Sequence, residues 1–358
     1  MNERETRAYY LLLVGQTDKY AAIGRACGQL ETLILNRSDV KSLVTLDEII
    51  IAVKDAFVQK SMGKVQMPTK NYLFFKNYEG DLRSMPCYLE GSDVAAVKVV
   101  NSHAENRAKG LPSVMGVLVM VSPETGAPLC IMEGSLLTAV RTGAASTIAT
   151  DLLAKNDAHV FALIGTGAQA QAQLEAIVKV RDIRYAKLFD RVISRAKEFA
   201  LQMSQIYGTI EIEVANTVAE AVKGTDLVTT ITPSKAPIVM DAWVDEGVHI
   251  NAVGADAPGK QELDPRILKR AKVIVDDVEQ AIHGGEINVP IANGIFTRDE
   301  IYAELGDIIS GKKQGRKSDK EITVFDSTGL AIQDAAIGAT IYNKALTRKV
   351  GLKFDLLE

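Results

Sequence analysis

One stretch, His159-Val-Phe-Ala-Leu-Ile-Gly-Thr-Gly-Ala-Gln-Ala170, constrains this chain more than any other. Residues 160–164 form a short unbroken apolar run, the pattern of a strand buried on both faces. The run breaks into Gly165-Thr-Gly167-Ala-Gln-Ala170, a G-x-G-x-x-A turn, and an apolar-periodic helix continues to about Val180. Glycines let the backbone turn tightly and approach a pyrophosphate. A small residue at 170 lets helix pack on strand, and the helix N-terminus offers N–H groups and a positive dipole end to phosphates. A second strand, Ala186-Lys-Leu-Phe-Asp190, follows, and Asp190 lies 190 − 170 = 20 residues beyond Ala170. An acid at that distance suits the ribose hydroxyls of NAD and repels the 2′-phosphate of NADP. The competing reading is a glycine-rich connector in some other α/β protein.

The rhythm around this stretch predicts two domains. From residue 160 strands (160–164, 186–190, 210–214, 227–231, 248–253, 272–276) alternate with helices (168–180, 194–207, 219–223, 264–271), which means a parallel, doubly wound sheet of Rossmann type. Residues 322–325 make a final strand, and 329–346 a closing helix that returns to the first domain. Before residue 136 the pattern is β-rich. A strand at 31–35, a short helix capped by Asn36 or Ser38 and an amphipathic helix at 47–60 (Ile50, Val53, Ala56 and Phe57 on one face) lead into strands at 72–75, 82–88, 94–100 and 114–121, in one antiparallel or mixed sheet. A helix rich in small residues spans 136–153. The expected division is an extension at 1–29, a β-rich first domain at 30–147, a dinucleotide domain at 148–326 and a returning helix at 327–358.

Composition narrows the partners. The 358 residues are 47% hydrophobic with a formal net charge of −4, so a large core is available. No basic stripe suggests nucleic acid, and no apolar run reaches the length of a membrane span. Cys27, Cys87 and Cys130 are widely spaced without C-x-x-C, and the four histidines form no H-x-x-x-H, so neither a disulfide framework nor a metal site is expected. These features suit a reducing cytoplasm. The short apolar core of Tyr9-Tyr-Leu-Leu-Leu-Val14 reads as an extra strand or loose extension rather than a secretory signal.

Several residues could carry chemistry. Lys98 lies in Val94-Ala-Ala-Val-Lys-Val-Val100, where a lysine either meets an anion or snorkels to water. Arg83 (Gly80-Asp-Leu-Arg-Ser-Met-Pro86) and Arg141 (Leu137-Thr-Ala-Val-Arg-Thr-Gly-Ala-Ala145) could join Lys98 in holding a carboxylate bidentately, or form surface ion pairs. Asp256 follows a strand in Ile250-Asn-Ala-Val-Gly-Ala-Asp-Ala-Pro-Gly-Lys260, where a carboxylate either activates water or shapes the turn. Thr230 ends another strand and either contacts the dinucleotide or fills the sheet.

Together these pieces resemble the ornithine cyclodeaminase/mu-crystallin family from about Glu31 onward. The resemblance rests on Lys98-Val-Val-Asn-Ser-His, Gly110-Leu-Pro, Ser122-Pro-Glu-Thr-Gly, the Arg141 and Gly165 segments, and Gly254-Ala-Asp-Ala-Pro-Gly-Lys-Gln-Glu-Leu-Asp. Met67-Pro-Thr-Lys-Asn-Tyr-Leu, the Arg83 segment, Asp276-Asp-Val-Glu-Gln-Ala-Ile-His-Gly-Gly-Glu-Ile-Asn-Val and Phe325-Asp-Ser-Thr-Gly-Leu-Ala-Ile-Gln-Asp are similar to its archaeal-type alanine dehydrogenase branch. The resemblance implies a homodimer and NAD-dependent oxidative deamination of L-alanine to pyruvate and ammonia, or the reverse. It implies Lys98 and Asp256 as catalytic residues, and Arg83, Lys98, Arg141 and Thr328 as substrate ligands. Cofactor contacts would come from Ser113, Arg141, Gly165, Gly167, Ala168, Gln169, Asp190, Thr230, Asn251, Ala252, Val253, Lys260 and Ser327. Ornithine cyclodeaminases carry a glutamate near the Met-Pro motif for the substrate's distal amine; here the region reads Arg83-Ser-Met-Pro86, and a cation there opposes a second ammonium. Many members have arginine where this chain has Lys70, so the carboxylate role is expected to pass to Arg83. The rival activities are ornithine cyclisation and cyclic-imine reduction, and a third alternative is a non-catalytic dinucleotide-binding protein.

Overall fold

A computed structural model of the chain describes residues 31–356, so the reading of residues 1–29 lies outside the described residues. The described chain forms two compact units, residues 31–141 with 330–356, and residues 142–329.

The first unit is built on a mixed sheet. Its strands run in the order Leu352–Asp355, Glu31–Leu35, Pro128–Glu133, Val114–Val121, Val94–His103, Gly80–Leu89 and Val65–Gln66, and Asn71–Phe75 also pairs with Gly80–Leu89. Glu31–Leu35 lies parallel to Pro128–Glu133, and every other pair is antiparallel. Alternation sorts the side chains: Arg83, Met85, Cys87 and Leu89 face inward, as do Val94, Ala96, Lys98 and Val100. The register sets Lys98 between Met85 and Leu118. The helix Ala331–Arg348 lies on this inner face, against the helix Leu46–Ser61 as well. Gly338 allows the close approach, because a Cβ there would stand 2.5 Å from Leu118 Cδ2.

Asn36, not Ser38, caps the helix Arg37–Leu43, accepting from Ser38 N and Asp39 N. On Leu46–Ser61 the buried face carries Ile49, Ala52, Val53, Ala56 and Phe57, so Ile50 is not on it as expected. Three consecutive isoleucines at 49–51 leave the helical phase undetermined locally; packing chooses it. The strands Val65–Gln66, Pro128–Glu133 and Leu352–Asp355 were not expected, being short or lacking alternation.

The second unit is a parallel sheet in the order Glu211–Val214, Tyr185–Phe189, Val160–Ile164, Leu227–Thr230, His249–Ala252, Ile322–Asp326, Ala271–Val275 and Ile301–Glu304. The order reverses between Val160–Ile164 and Leu227–Thr230, the switch point where such sheets bind ligands. Leu227–Thr230, His249–Ala252 and Ile322–Asp326 are buried at every position, as strands covered on both faces must be. Short elements between residues 278 and 309 carried too few turns to be legible.

The division between units departs from the expected boundaries, which lay after residues 147 and 326. Residues 142–147 belong with the second unit because Gly143 and Thr147 pack on the helix Ala170–Val180: Thr147 Oγ1 donates to Ala176 O at 3.3 Å, and a Cβ on Gly143 would stand 2.7 Å from Ala172 O. Residues 327–329 stay there because Thr328 Oγ1 and Gly329 N donate to Asp276 at 2.9 and 2.7 Å. Among the described residues no helix is long and apolar enough to cross a membrane.

Candidate active site

In the first unit Lys98 is fully buried and meets an anion. Its Nζ donates to both Asp334 carboxylate oxygens at 2.8 Å and to Thr138 Oγ1 at 3.1 Å. Asp334 is also fully buried, on the first turn of Ala331–Arg348. Burial drives the lysine toward the neutral amine and Asp334 opposes this, while Arg141 and then Lys70 repel the charge; the balance brings Lys98 down to about 7. Arg141 donates from Nη1 to Gln333 Oε1 at 3.3 Å, and its Nε lies 3.6 Å from Asp334 Oδ1. That Nε and Gln333 Nε2 are buried donors with no hydrogen-bond partner. Gln333 Oε1 also accepts from Leu330 N at 3.1 Å, which fixes the amide's orientation. Two cations therefore share one carboxylate beside two unsatisfied donors, an arrangement that suits one more carboxylate.

Arg83 is occupied differently from expectation. Its Nε and Nη2 donate to Asp81 at 3.1 Å each, and its guanidinium lies 5.7 Å from the Tyr72 ring centroid. Asp81 and Arg83 are two apart on a strand and so share a face, a signal the sequence did carry. Lys70, set aside in favour of Arg83, is buried and acts on Lys98.

In the second unit the glycine turn fits a dinucleotide. Gly165 has φ +106°, and a Cβ there would stand 2.8 Å from Ile231 O, so only glycine serves. A Cβ on Gly167 would meet nothing within 4 Å, leaving its face open to a ligand. Ala168 is exposed beside it, and Gln169, at the N-terminus of Ala170–Val180, caps the helix with no side-chain bond. Gln169 Oε1 and Ser327 Oγ are buried polar atoms without partners. Asp190 Oδ2 accepts from Thr166 N and Oγ1, both at 3.0 Å, and Oδ1 from Val192 N at 2.8 Å. Burial works to raise its pKa, but these bonds outweigh it and hold the carboxyl below its ordinary value.

Asp256 is half-buried, and Lys260 Nζ donates to its Oδ1 at 2.5 Å, joining the expected acid/base to an expected cofactor contact. Glu262 was overlooked in the sequence. It is fully buried, and its two oxygens accept from Thr232 N at 2.6 Å and Gly254 N at 2.9 Å, tying together the loops after two central strands. Burial raises it to about 7, against those bonds. Asn251 directs its amide into the core, donating to Thr150 Oγ1 at 3.0 Å and facing His249 Nε2 at 3.2 Å. Thr230, Ala252 and Val253 are buried at strand ends, and the Thr328 hydroxyl is engaged by Asp276. Ser113 is half-buried in the first unit, its carbonyl accepting from His103 N at 2.8 Å.

The ornithine cyclodeaminase/mu-crystallin family model matches residues 30–349. The alanine dehydrogenase of Archaeoglobus fulgidus is 49% identical over 324 residues, covering 90% of this chain and 98% of that protein. Among solved structures, an archaeal alanine dehydrogenase dimer with bound NAD is 48% identical with a TM-score of 0.87, over 91% of this chain and 100% of the other. The Delta(1)-pyrroline-2-carboxylate reductase of Thermococcus litoralis, solved with NADH and L-proline, is 40% identical with a TM-score of 0.87, over 90% and 99%. With glycine turn, doubly wound sheet and nearly full-length matches in agreement, the chain belongs to the ornithine cyclodeaminase/mu-crystallin family.

Proposed function

We propose that the chain is an NAD-dependent L-alanine dehydrogenase, interconverting L-alanine with pyruvate and ammonia. The observation that carries this is the pair of buried donors without acceptors, Arg141 Nε and Gln333 Nε2, beside Lys98. A 2-oxo or 2-amino acid supplies the missing carboxylate. The sequence and structure matches named alanine dehydrogenase are more similar to this chain than the solved pyrroline-carboxylate reductase, at 49% and 48% against 40%. Lys70 adds a cation that opposes the second ammonium of ornithine, while the Arg83 charge is met by Asp81.

Arg141 holds the carboxylate, with the charge of the Asp334-bound Lys98 beside it, and this is catalysis by positioning. NAD fits the open face of Gly167, the partnerless atoms of Gln169 and Ser327, and the fixed Asp190 carboxylate, whose charge favours it over NADP. Gly165, Ala168, Thr230, Asn251, Ala252, Val253 and Lys260 complete the expected contacts of the second unit. The cofactor's contribution, when bound, is to accept the Cα hydride. Asp256, oriented by Lys260, then takes a proton from water as it adds to the imine carbon. The Lys98 ammonium stabilises the carbinolamine, ammonia leaves and pyruvate remains.

The assembly is read as a homodimer in the cytoplasm. Its support is an apolar face on the first unit's sheet, open among the described residues, with Met115 and Val117 exposed and Tyr88, Val97, Val119 and Val121 half-buried. Cys87 and Cys130 are buried free thiols, which suits a reducing compartment.

A second reading, reduction of a cyclic imino acid, is favoured by the relative solved with NADH and L-proline. The test is NADH oxidation with pyruvate plus ammonium, beside Δ1-pyrroline-2-carboxylate and beside proline formation from ornithine. Turnover confined to pyruvate supports the alanine reading. Turnover confined to the cyclic imine replaces it with the second, and proline from ornithine overturns the charge argument. Silence in all three leaves a binding role.

A further inference from the structure

Asp334 has no part in the chemistry above, yet it is the centre of the cationic cluster. Lys98 brings three N–H donors, and all three have acceptors within the first unit: two Asp334 oxygens at 2.8 Å and Thr138 Oγ1 at 3.1 Å. The Thr138 hydroxyl proton goes to Gly134 O at 2.7 Å, so its oxygen faces Lys98 only as an acceptor. Asp334 Oδ1 also stands 3.6 Å from Arg141 Nε, and neither Lys98 nor Asp334 is reached by solvent. The ionisable groups acting around this pair are Arg141 from Ser135–Leu153, Lys70 just before Asn71–Phe75, and the Cys87 thiol from the adjacent strand. Arg141 and Lys70 repel an ammonium, and Cys87, pushed up to about 12 by burial and then by Asp334, carries no charge at working pH.

We propose that Asp334 is a positioning residue: it locks Lys98 and Arg141 in one arrangement and is the anion that keeps Lys98 an ammonium, so that the site offers positive charge to an incoming carboxylate at neutral pH. The proposal rests on the reading of this cluster as the carboxylate site. Burial drives Lys98 toward the amine and Asp334, on its Nζ at 2.8 Å, opposes this, so removing the anion shifts the lysine further toward the neutral form.

The test is Asp334→Asn in the full chain, which keeps the shape and removes the charge. The probe is oxamate, an unreactive carboxylate analogue of pyruvate, titrated against the protein saturated with NADH from pH 6 to pH 9. We expect oxamate affinity at pH 8 to fall at least tenfold and to recover toward the wild-type value near pH 6, while the Kd for NADH stays within twofold. A loss equal at every pH, or an unchanged pH profile, overturns the proposal. Asp334→Glu keeps the anion and displaces it, so it is expected to bind more weakly with the wild-type pH dependence; this variant decides where Asp334→Asn does not fold, and a displaced profile there is fatal. Wild-type protein that binds oxamate but does not turn over pyruvate loses the alanine reading and leaves this proposal standing. Wild-type protein that binds no carboxylate removes both.

Discussion

Replacing Arg141 with methionine measures the carboxylate site most directly. A guanidinium that meets a carboxylate bidentately contributes two charge-assisted hydrogen bonds, each of about 1.5–3 kcal/mol. Two features reduce that gross figure. Nη1 already donates to Gln333 at 3.3 Å and Nε stands 3.6 Å from Asp334, so part of the guanidinium's interaction exists without substrate. Arg141 also repels the charge on Lys98, so its removal makes Lys98 a stronger cation and returns some binding. The lower end, roughly 3 kcal/mol, is what remains, and at about 1.4 kcal/mol per decade this is a loss of roughly a hundredfold. The assay is steady-state kcat/KM for pyruvate at saturating ammonium and NADH, with the Kd for NADH measured separately by fluorescence. Arg141→Lys should recover only part of the loss, since an ammonium cannot bind bidentately. A kcat/KM for Arg141→Met within about threefold of wild type would refute the argument, and an equal loss of NADH affinity would transfer the residue to the cofactor.

The two turn glycines should separate stability from binding. Gly165→Ala forces a side chain into the left-handed region against Ile231 O and should lower stability by about 1–3 kcal/mol in urea unfolding. Gly167→Val enters open space, so it should unfold with the wild-type midpoint while NADH binding falls at least tenfold; retained binding would place the cofactor elsewhere. Asp190→Ala should narrow the preference for NADH over NADPH, measured as a ratio of Kd values, because a fixed carboxylate no longer faces the 2′-phosphate. His249 is held down to about 3, first by burial and then by Arg316, against its bond to Asn251. Its folded pKa lies below the unfolded one, so its contribution to stability is full above 6.5 and is lost as pH falls toward 3. Between pH 7 and pH 5 that amounts to about 2 kcal/mol, and His249→Gln should flatten this part of the urea midpoint–pH curve.

Contiguous residues made much of this protein legible. The strand, G-x-G-x-x-A turn and helix at 160–180, with an acid 20 residues beyond, are local in the chain, and their order suffices to call a dinucleotide unit. Alternating strands and helices likewise implied the parallel sheet. The β-rich unit was legible in kind but not in closure: Pro128–Glu133 pairs in parallel with a strand almost a hundred residues earlier, and nothing nearby announces it. Arg83 and Lys70 show the same limit at the site. Both were visible as cations and the i, i+2 spacing of Asp81 and Arg83 was there to be read, but only packing set Lys70 against Lys98.

By itself, then, the sequence determined the two kinds of sheet, the nucleotide turn and the cations from which the proposed carboxylate site is made, because each is written in residue types at short, periodic spacing. Tertiary structure alone decided which charges meet. Lys98 and Asp334 are 236 residues apart, on a strand and on the closing helix, and the fate of a lysine in an apolar strand depends on what lies opposite. In a low-dielectric interior a partner within hydrogen-bond reach changes a buried lysine from a cost into a binding group, and only the folded chain brings that partner there.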